Sequence, residues 1–452
     1  MLSGRKKIIS WPLFLVILIL TLSLAISPSG VENKPIQLIS LSPSTDLHSF
    51  RLRFEVDPLM VYRNKAYFLV KKKDLEEIEK AGFIYTAENN LIRSLLSEPN
   101  VRKLHTLGGL NGAYHSYQEL NSELKTLASR YKNICRLYTL GQSLENRKIL
   151  ALKISDNPGL VEDEPRLAFI GCHHAREWIS VEVPFLLARY LLENYHQDER
   201  IKLLVDSSEI WIVPLLNPDG LEYSIINYRL WRKNRRFNFD GSYGVDLNRN
   251  YSYRWAYDNL GSSPEPASGT YRGAYPFSEP EVESIRNLFS NRNFSAAISY
   301  HSYSQAILYP WGYINQPTPI EPLLQQLASE MADLIFRVNG RLYEVGRASS
   351  LLYLTNGDFT DWAYGYFGIP AFTIELPPLD RLQGGFLNSE QDIDSVFQEN
   401  LPAALHLIEW AITNYQTSNR PLRPLEKKEV EKESNPVVNN RLRSFFKGKE
   451  NK

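Results

Sequence analysis

Five clusters in the sequence carry side chains able to do hydrolytic or binding chemistry. The first is Cys172-His173-His174-Ala175-Arg176-Glu177-Trp178, at the exit of an apolar run. His174 and Glu177 are spaced HxxE. A neutral imidazole and a carboxylate so close can share one zinc ion, which takes N and O donors at about 2.0–2.2 Å. An ordinary surface His–Glu pair has the same spacing, and His173 lies four residues from Glu177, so spacing alone does not choose between the histidines. The second is His301, which ends the apolar run before Ser302-Tyr303. A third ligand far along the chain is what a catalytic zinc needs, leaving one position for water. The third is Glu375, ending Phe372-Thr373-Ile374. A carboxylate is rarely buried without a partner, so one that closes a buried β-run is a candidate general base. The fourth is arginine-rich: Arg229, Arg232 and Lys233, then Asp246, Asn248 and Arg249. Guanidinium forks bind carboxylates bidentately and stabilise oxyanions. The fifth is Ser349–Tyr364, with Tyr353, Asp358, Thr360 and Asp361-Trp362.

These residues need elements to position them. Ile149–Ile154, Leu167–Cys172, Glu209–Leu215, Ala296–Ser299 and Ala371–Glu375 read as strands, and Tyr117–Tyr131, Val181–Tyr195 and Leu401–Asn414 as helices. Alternating strands and helices predict an α/β fold with a central sheet, mixed but mostly parallel, flanked by helices on both faces. In such folds active groups sit at strand ends and in the loops that follow. Residues 35–95 read as a separate small α/β unit: strands at Phe50–Val56, Ala66–Val70 and Phe83–Tyr85, and a helix over Asp74–Ala81. Residues 96–112 form a linker carrying Arg102 and Lys103, 113–416 the main body, and 417–452 a charged tail expected to be disordered.

Composition narrows the function further. The 51 Lys+Arg balance 51 Asp+Glu, which argues against nucleic-acid binding through bulk positive charge. Two cysteines exclude a disulfide scaffold and a cysteine-built metal site, and both sit in core-like runs that predict buried free thiols. Residues 1–27 combine Arg5-Lys6-Lys7 with an apolar stretch from Ile8 to Ile26 and small residues after it. That pattern is a secretory signal or, uncleaved, a membrane anchor; either exports the rest of the chain.

In combination the motifs are far more specific than any one alone. HxxE, NPDG at Asn217–Gly220, RxxR, GVDLNRNY, HSYSQ, Tyr353, Asp361-Trp362 and FTIEL occur in this order. The chain from about Ala113 to Trp410 resembles the zinc metallocarboxypeptidases of the pancreatic carboxypeptidase A/B family. Asn356–Trp362 is most similar to the secreted bacterial carboxypeptidase T branch, and Tyr67–Gly82 resembles the propeptide of such enzymes. The resemblance implies one Zn2+ per chain held by His174, Glu177 and His301. It implies Glu375 as general base, Arg232 polarising the scissile carbonyl, and Asp246 behind His174. It implies Asn248 and Arg249 as the clamp on a terminal carboxylate, Tyr353 closing over it, and Arg176 at a secondary subsite. Positions matching the side-chain pocket include Ser299, Leu308, Gly312, Ala348, Leu352, Thr355, Asp358, Thr360 and Thr373. Thr360 with Asp358 nearby implies a mixed apolar and basic preference. The expected partners are peptide or protein C-termini, met by a secreted monomer that touches a membrane only through an uncleaved anchor. A γ-D-glutamyl–diaminopimelate cell-wall peptidase of the same fold is the alternative, and an inactive binding module is disfavoured because no ligand or base is lost.

Overall fold

Every position of the strand Arg166–Gly171 is buried, and its neighbours in the sheet are nearly as apolar. Such runs have no solvent face and must lie inside a sheet covered on both sides. A computed structural model shows this arrangement and describes residues 36–41, 58–62, 65–71, 74–87, 111–380 and 383–415. In the amino-terminal unit, β1 (Ile36–Leu41), β2 (Pro58–Tyr62), β3 (Lys65–Lys71) and β4 (Tyr85–Ala87) form an antiparallel sheet ordered β2-β3-β1-β4. The helix α1 (Leu75–Lys80) buries Ile78 with Ile39, Leu41, Phe68 and Val70. The last strand begins two residues later than the sequence predicts. The expected strand Phe50–Val56, the linker, the signal segment and the tail lie outside the described residues.

The main body is one eight-stranded sheet. In chain order its elements are α2 (Tyr117–Arg130), β5 (Cys135–Gln142), β6 (Lys148–Ile154), β7 (Arg166–Gly171), α3 (Ile179–Asn194), α4 (Glu199–Asp206), β8 (Glu209–Val213) and α5 (Pro218–Ile226). There follow α6 (Pro280–Ser290), β9 (Ala296–Ser302), β10 (Ala306–Tyr309), α7 (Glu321–Asn339), β11 (Glu344–Arg347), α8 (Ala348–Leu351), α9 (Phe359–Phe367), β12 (Ala371–Leu376) and α10 (Ile393–Tyr415). The strand order is β11-β10-β12-β9-β7-β8-β6-β5. The core β12-β9-β7-β8 is parallel; β6 and β5 add antiparallel on one side and β10 antiparallel on the other, with β11 parallel to β10.

Strand periodicity sorts side chains to two cores. Leu167, Phe169, Ile210, Ile212 and Ile298 face α2, α3, α4, α7 and α10. Ala168, Ile170, Trp211, Val213 and Ala297 face α6 and α9. Truncating one of these large side chains to Ala would cost about 2–5 kcal/mol. The last helix starts eight residues before the predicted Leu401, running through Pro402. Proline there removes one backbone donor, yet Ile393, Val396 and Phe397 bury one face at helical spacing and carry the helix past it. Cys135 and Cys172 are buried free thiols. Among the described residues no helix is long and apolar enough to cross a membrane.

Candidate active site

The parallel register of β9 and β12 sets His301 directly beside Glu375. The exit of β7 brings the HxxE segment to the same sheet end. A side chain at Gly171 would run into the carbonyls of Ser180 and Pro214, so only glycine lets this strand end pack under α3. After the turn, His174 is 4%, Glu177 2% and His301 1% exposed. His174 Nδ1 lies 2.8 Å from Glu177 Oε1, and His301 Nδ1 lies 3.0 Å from Glu177 Oε2 and 3.1 Å from His174 Nδ1.

This donor set fits a metal ion. Two Nδ1 atoms facing each other at 3.1 Å can share at most one proton, so at least one presents a lone pair to the other. Separations of 2.8–3.1 Å are close to the roughly 3.3 Å edge of a tetrahedron with zinc bonds of about 2.0–2.1 Å. These three residues are one of the groupings among the described residues able to hold a metal ion. Burial also pushes the pKa of His301 down, toward the neutral imidazole that ligation requires. Burial alone would raise Glu177, but hydrogen bonds and charge from His174 and His301 override it and hold the carboxylate well below its usual range.

Outer contacts fix these rings. Asp246 Oδ1 meets His174 Nε2 at 3.2 Å, as expected, and Asp246 Oδ2 accepts from Arg232 Nε at 3.0 Å. Burial opposes ionisation of Asp246, yet Arg232 and then His174 keep its pKa well below the ordinary value. Ser299, expected in the side-chain pocket, puts its Oγ 3.0 Å from His301 Nε2 and 3.1 Å from His173 Nδ1. Its place two residues before His301 on one strand puts both side chains on the same face, a signal available in the sequence. His173 also meets the Tyr251 hydroxyl at 2.8 Å and stacks on His301, and it is His174 that converges with Glu177 and His301. The Ser302 N–H donates to Glu177 Oε2 at 3.2 Å, a backbone contact no side-chain pattern could reveal.

Glu375 sits among competing influences. Burial and the Glu177 charge push it up to about 8, while Arg232, Arg176 and Arg249 pull it down. Arg249 is 1% exposed and donates to the carbonyls of Gly261 and Asn248 at 2.8 and 2.6 Å; its guanidinium carbon is 5.9 Å from the Tyr353 ring. Asn248 Oδ1 accepts from the Phe359 N–H at 2.9 Å, fixing its carboxamide against α9. Arg229, the other half of RxxR, is spent on structure: it donates to the carbonyls of Arg176 and Phe386 and stacks 3.6 Å from Trp178. Arg176 lies over Phe386, 3.9 Å from the ring centre.

The pocket positions gather around β10. Leu308 packs with Ala306 and Ala348, and Leu351 and Leu352 lie against them. A side chain at Gly312 would stand 2.6 Å from Asp358 Oδ2 and collide with Thr355. Asp358 itself is 3% exposed and caps α9. Its Oδ1 accepts from the Asp361 N–H at 2.8 Å and from Thr360 Oγ1 at 2.9 Å, and Thr355 Oγ1 donates to Oδ2. The carboxylate expected to face a cationic substrate is thus engaged by its own segment. Asp361, which the sequence left without a role, accepts from the N–H groups of Gly312 and Tyr313 at 2.8 and 2.9 Å. Burial and then the adjacent Asp358 raise its pKa well above the usual range.

A buried His–Glu–His set at the carboxyl ends of parallel strands, flanked by a carboxylate and cations, defines an α/β enzyme able to hold one metal ion. Residues 120–403 match the zinc carboxypeptidase family, and the chain belongs to it. It is 34% identical over 287 residues to "Carboxypeptidase B" of Astacus astacus, covering 62% of this chain and 91% of that protein. It is 36% identical over 257 residues to "Metallocarboxypeptidase A" of Trichophyton rubrum, 56% of this chain but only 60% of that one. The crystal structure of thrombin activatable fibrinolysis inhibitor matches with a TM-score of 0.67 at 26% identity, over 84% of this chain and 99% of that one.

Proposed function

We propose that this protein releases the C-terminal residue of peptides, with His174, Glu177 and His301 holding one zinc ion. The observation that carries the reading is the register of β9 and β12, which puts a carboxylate of raised pKa beside the His–Glu–His set. Zinc bound there would acidify a water and polarise a carbonyl. Glu375 takes the proton of the attacking water and passes it to the leaving amine, a task suited to a base titrating near neutrality. Arg232, held by Asp246, donates to the oxygen that gains charge. Asn248 and Arg249 bind the terminal carboxylate, which makes the enzyme an exopeptidase, and Tyr353 closes over it. Arg176 serves a more distant residue of the substrate. The finer reading is a carboxypeptidase T-like preference for apolar and basic C-terminal residues; Leu308 and Gly312 support the apolar part, and the basic part rests on Asp358, whose carboxylate the α9 cap and two threonines already engage.

The amino-terminal unit is proposed as an inhibitory prodomain of an exported enzyme. The inhibitor named for activation by thrombin matches a larger share of this chain than residues 111–415 make up, in line with that reading. Comparing full-length with truncated protein on one peptide tests it; equal rates would overturn latency. The test of activity is a panel of peptides differing in the last residue, with a C-terminal amide and a muropeptide as further arms. Free amino acids should appear from peptide acids only, stop on chelation and return with zinc. Release from the amide, or release indifferent to chelator, would overturn the proposal.

A further inference from the structure

The two arginine segments meet behind the site at a polar node that the reaction does not touch. The Asn234 N–H donates to the Val245 carbonyl at 3.0 Å, and Asn234 Oδ1 accepts from the N–H groups of Val245 and Arg236 at 2.8 and 3.3 Å. Asn234 Nδ2 donates to Glu279 Oε2 at 2.7 Å and to Glu281 Oε2 at 3.2 Å. Glu279 also accepts from Arg236 Nε at 2.7 and 2.8 Å and from Ser278 Oγ at 2.7 Å. Its own N–H donates to Asn250 Oδ1 at 3.1 Å, and Asn250 Nδ2 donates to Ser278 Oγ at 2.9 Å. Asn234, Glu279 and Asn250 are each 0% exposed. One node therefore grips the chain two residues after Arg232, one residue before Asp246 and one residue after Arg249.

We propose that Asn234, with Glu279 as its partner, is a positioning residue that sets the separation between Arg232 and the Asn248–Arg249 pair. The inference rests on the carboxypeptidase reading. Cleaving one residue from a chain end requires the scissile carbonyl and the terminal carboxylate to be held at one fixed spacing, and misplacement by about 1 Å can cost 10²-fold. Arg232 stands on irregular chain and Arg249 ends a single 3-10 turn, Leu247–Arg249, and neither has a sheet ladder to fix it. A carboxamide both accepts and donates, so Asn234 joins two strands of loop and two carboxylates at once. Alanine there would leave the buried Val245 N–H and two carboxylates short of partners.

The test is a double-mutant cycle in protein made as the full chain and then activated by limited proteolysis, with zinc content and thermal midpoint measured alongside. Asn234→Ala should keep one zinc per chain and lower kcat/KM about 10–100-fold. If it acts through Arg232, the Asn234→Ala/Arg232→Ala protein should be no slower than Arg232→Ala alone. Losses that multiply, or an Asn234→Ala rate within about twofold of wild type, would overturn the proposal. Should Asn234→Ala lose zinc or fail to fold, Glu279→Gln and Glu279→Ala take its place in the cycle. Glu279→Gln keeps one acceptor oxygen, which at the Oε2 position still serves both Asn234 and Arg236, with its NH2 turned to Ser278 Oγ, so it should recover most of the rate lost in Glu279→Ala; equal losses would overturn the proposal. A wild-type protein that releases no C-terminal residue would instead sink the carboxypeptidase reading itself.

Discussion

Strand β12 divides the site into two unlike halves. On one side β9 sets His301 against Glu375 by sheet register, and the turn after β7 brings His174 and Glu177 to the same buried place. On the other side β10 pairs with β12, and the 349–360 segment beside it is held by its own cap and side-chain hydroxyls. Ladder-built geometry leaves each group one position. Loop-built geometry has to supply its own anchors, and an acidic residue there serves the loop before it serves a ligand. Substitutions should therefore abolish function on the first side and tune it on the second.

The largest effect belongs to His301→Ala. Removing one of three ligands should take zinc below stoichiometry and eliminate activity, read by atomic absorption and amino-acid release. Pocket variants should keep their zinc. A His301→Ala protein with one zinc per chain would break the comparison.

Next comes Asp246, which meets the outer nitrogen of His174 and holds Arg232. Asp246→Ala should weaken zinc affinity or activity about 10–100-fold, the usual cost of losing such support. Competition with a graded chelator measures it. Full zinc affinity would confine Asp246 to the arginine alone.

The same contrast decides what was legible in the sequence. His301 and Glu375 close apolar runs and His174 lies just beyond one, so the pattern that predicts a buried strand also predicts its polar end, while Glu177 is legible only through its HxxE spacing from His174. Ser299 entered as a position matching the pocket, and strand alternation also puts it on the face of His301, two residues on. Asp358 was ambiguous for a different reason. An acid just before a helical segment is an N-cap by preference, and only the three donors around it show which use the molecule makes of it. The long stretch 227–279 has no periodicity to read, which is why the Asn234–Glu279 node left no trace in the sequence.

Asp358→Ala sharpens the point at smaller cost. Losing the cap should cost about 0.5–2 kcal/mol of stability, read by chemical denaturation. If the carboxylate serves only α9, rates on C-terminal Lys and Leu should fall together. If it also reads charge, the basic substrates should fall more than about tenfold further, where ~1.4 kcal/mol is tenfold.

The smallest effect is a displacement along the pH axis. Burial and Glu177 raise Glu375 to about 8, and Arg232, Arg176 and Arg249 oppose them. The base acts ionised, so kcat/KM climbs with pH until Glu375 has lost its proton, and the acidic limb reports that pKa in the free enzyme. A bound dication favours the carboxylate and moves the whole limb lower, but it leaves the order of the other influences intact. Arg176→Gln removes a positive charge that favours the ionised form, so the limb must move to higher pH. Arg176 is outranked by Arg232, so the move should be smaller than the one Arg232→Gln would give. Activity at pH 6 should thus fall by a larger factor than at pH 9, while zinc content stays at one per chain. A limb that stays in place while KM rises would make Arg176 a binding group alone. A limb that moves lower would mean that the charge on Glu375 is governed from the metal side of β12, with no share left for the cations around the pocket.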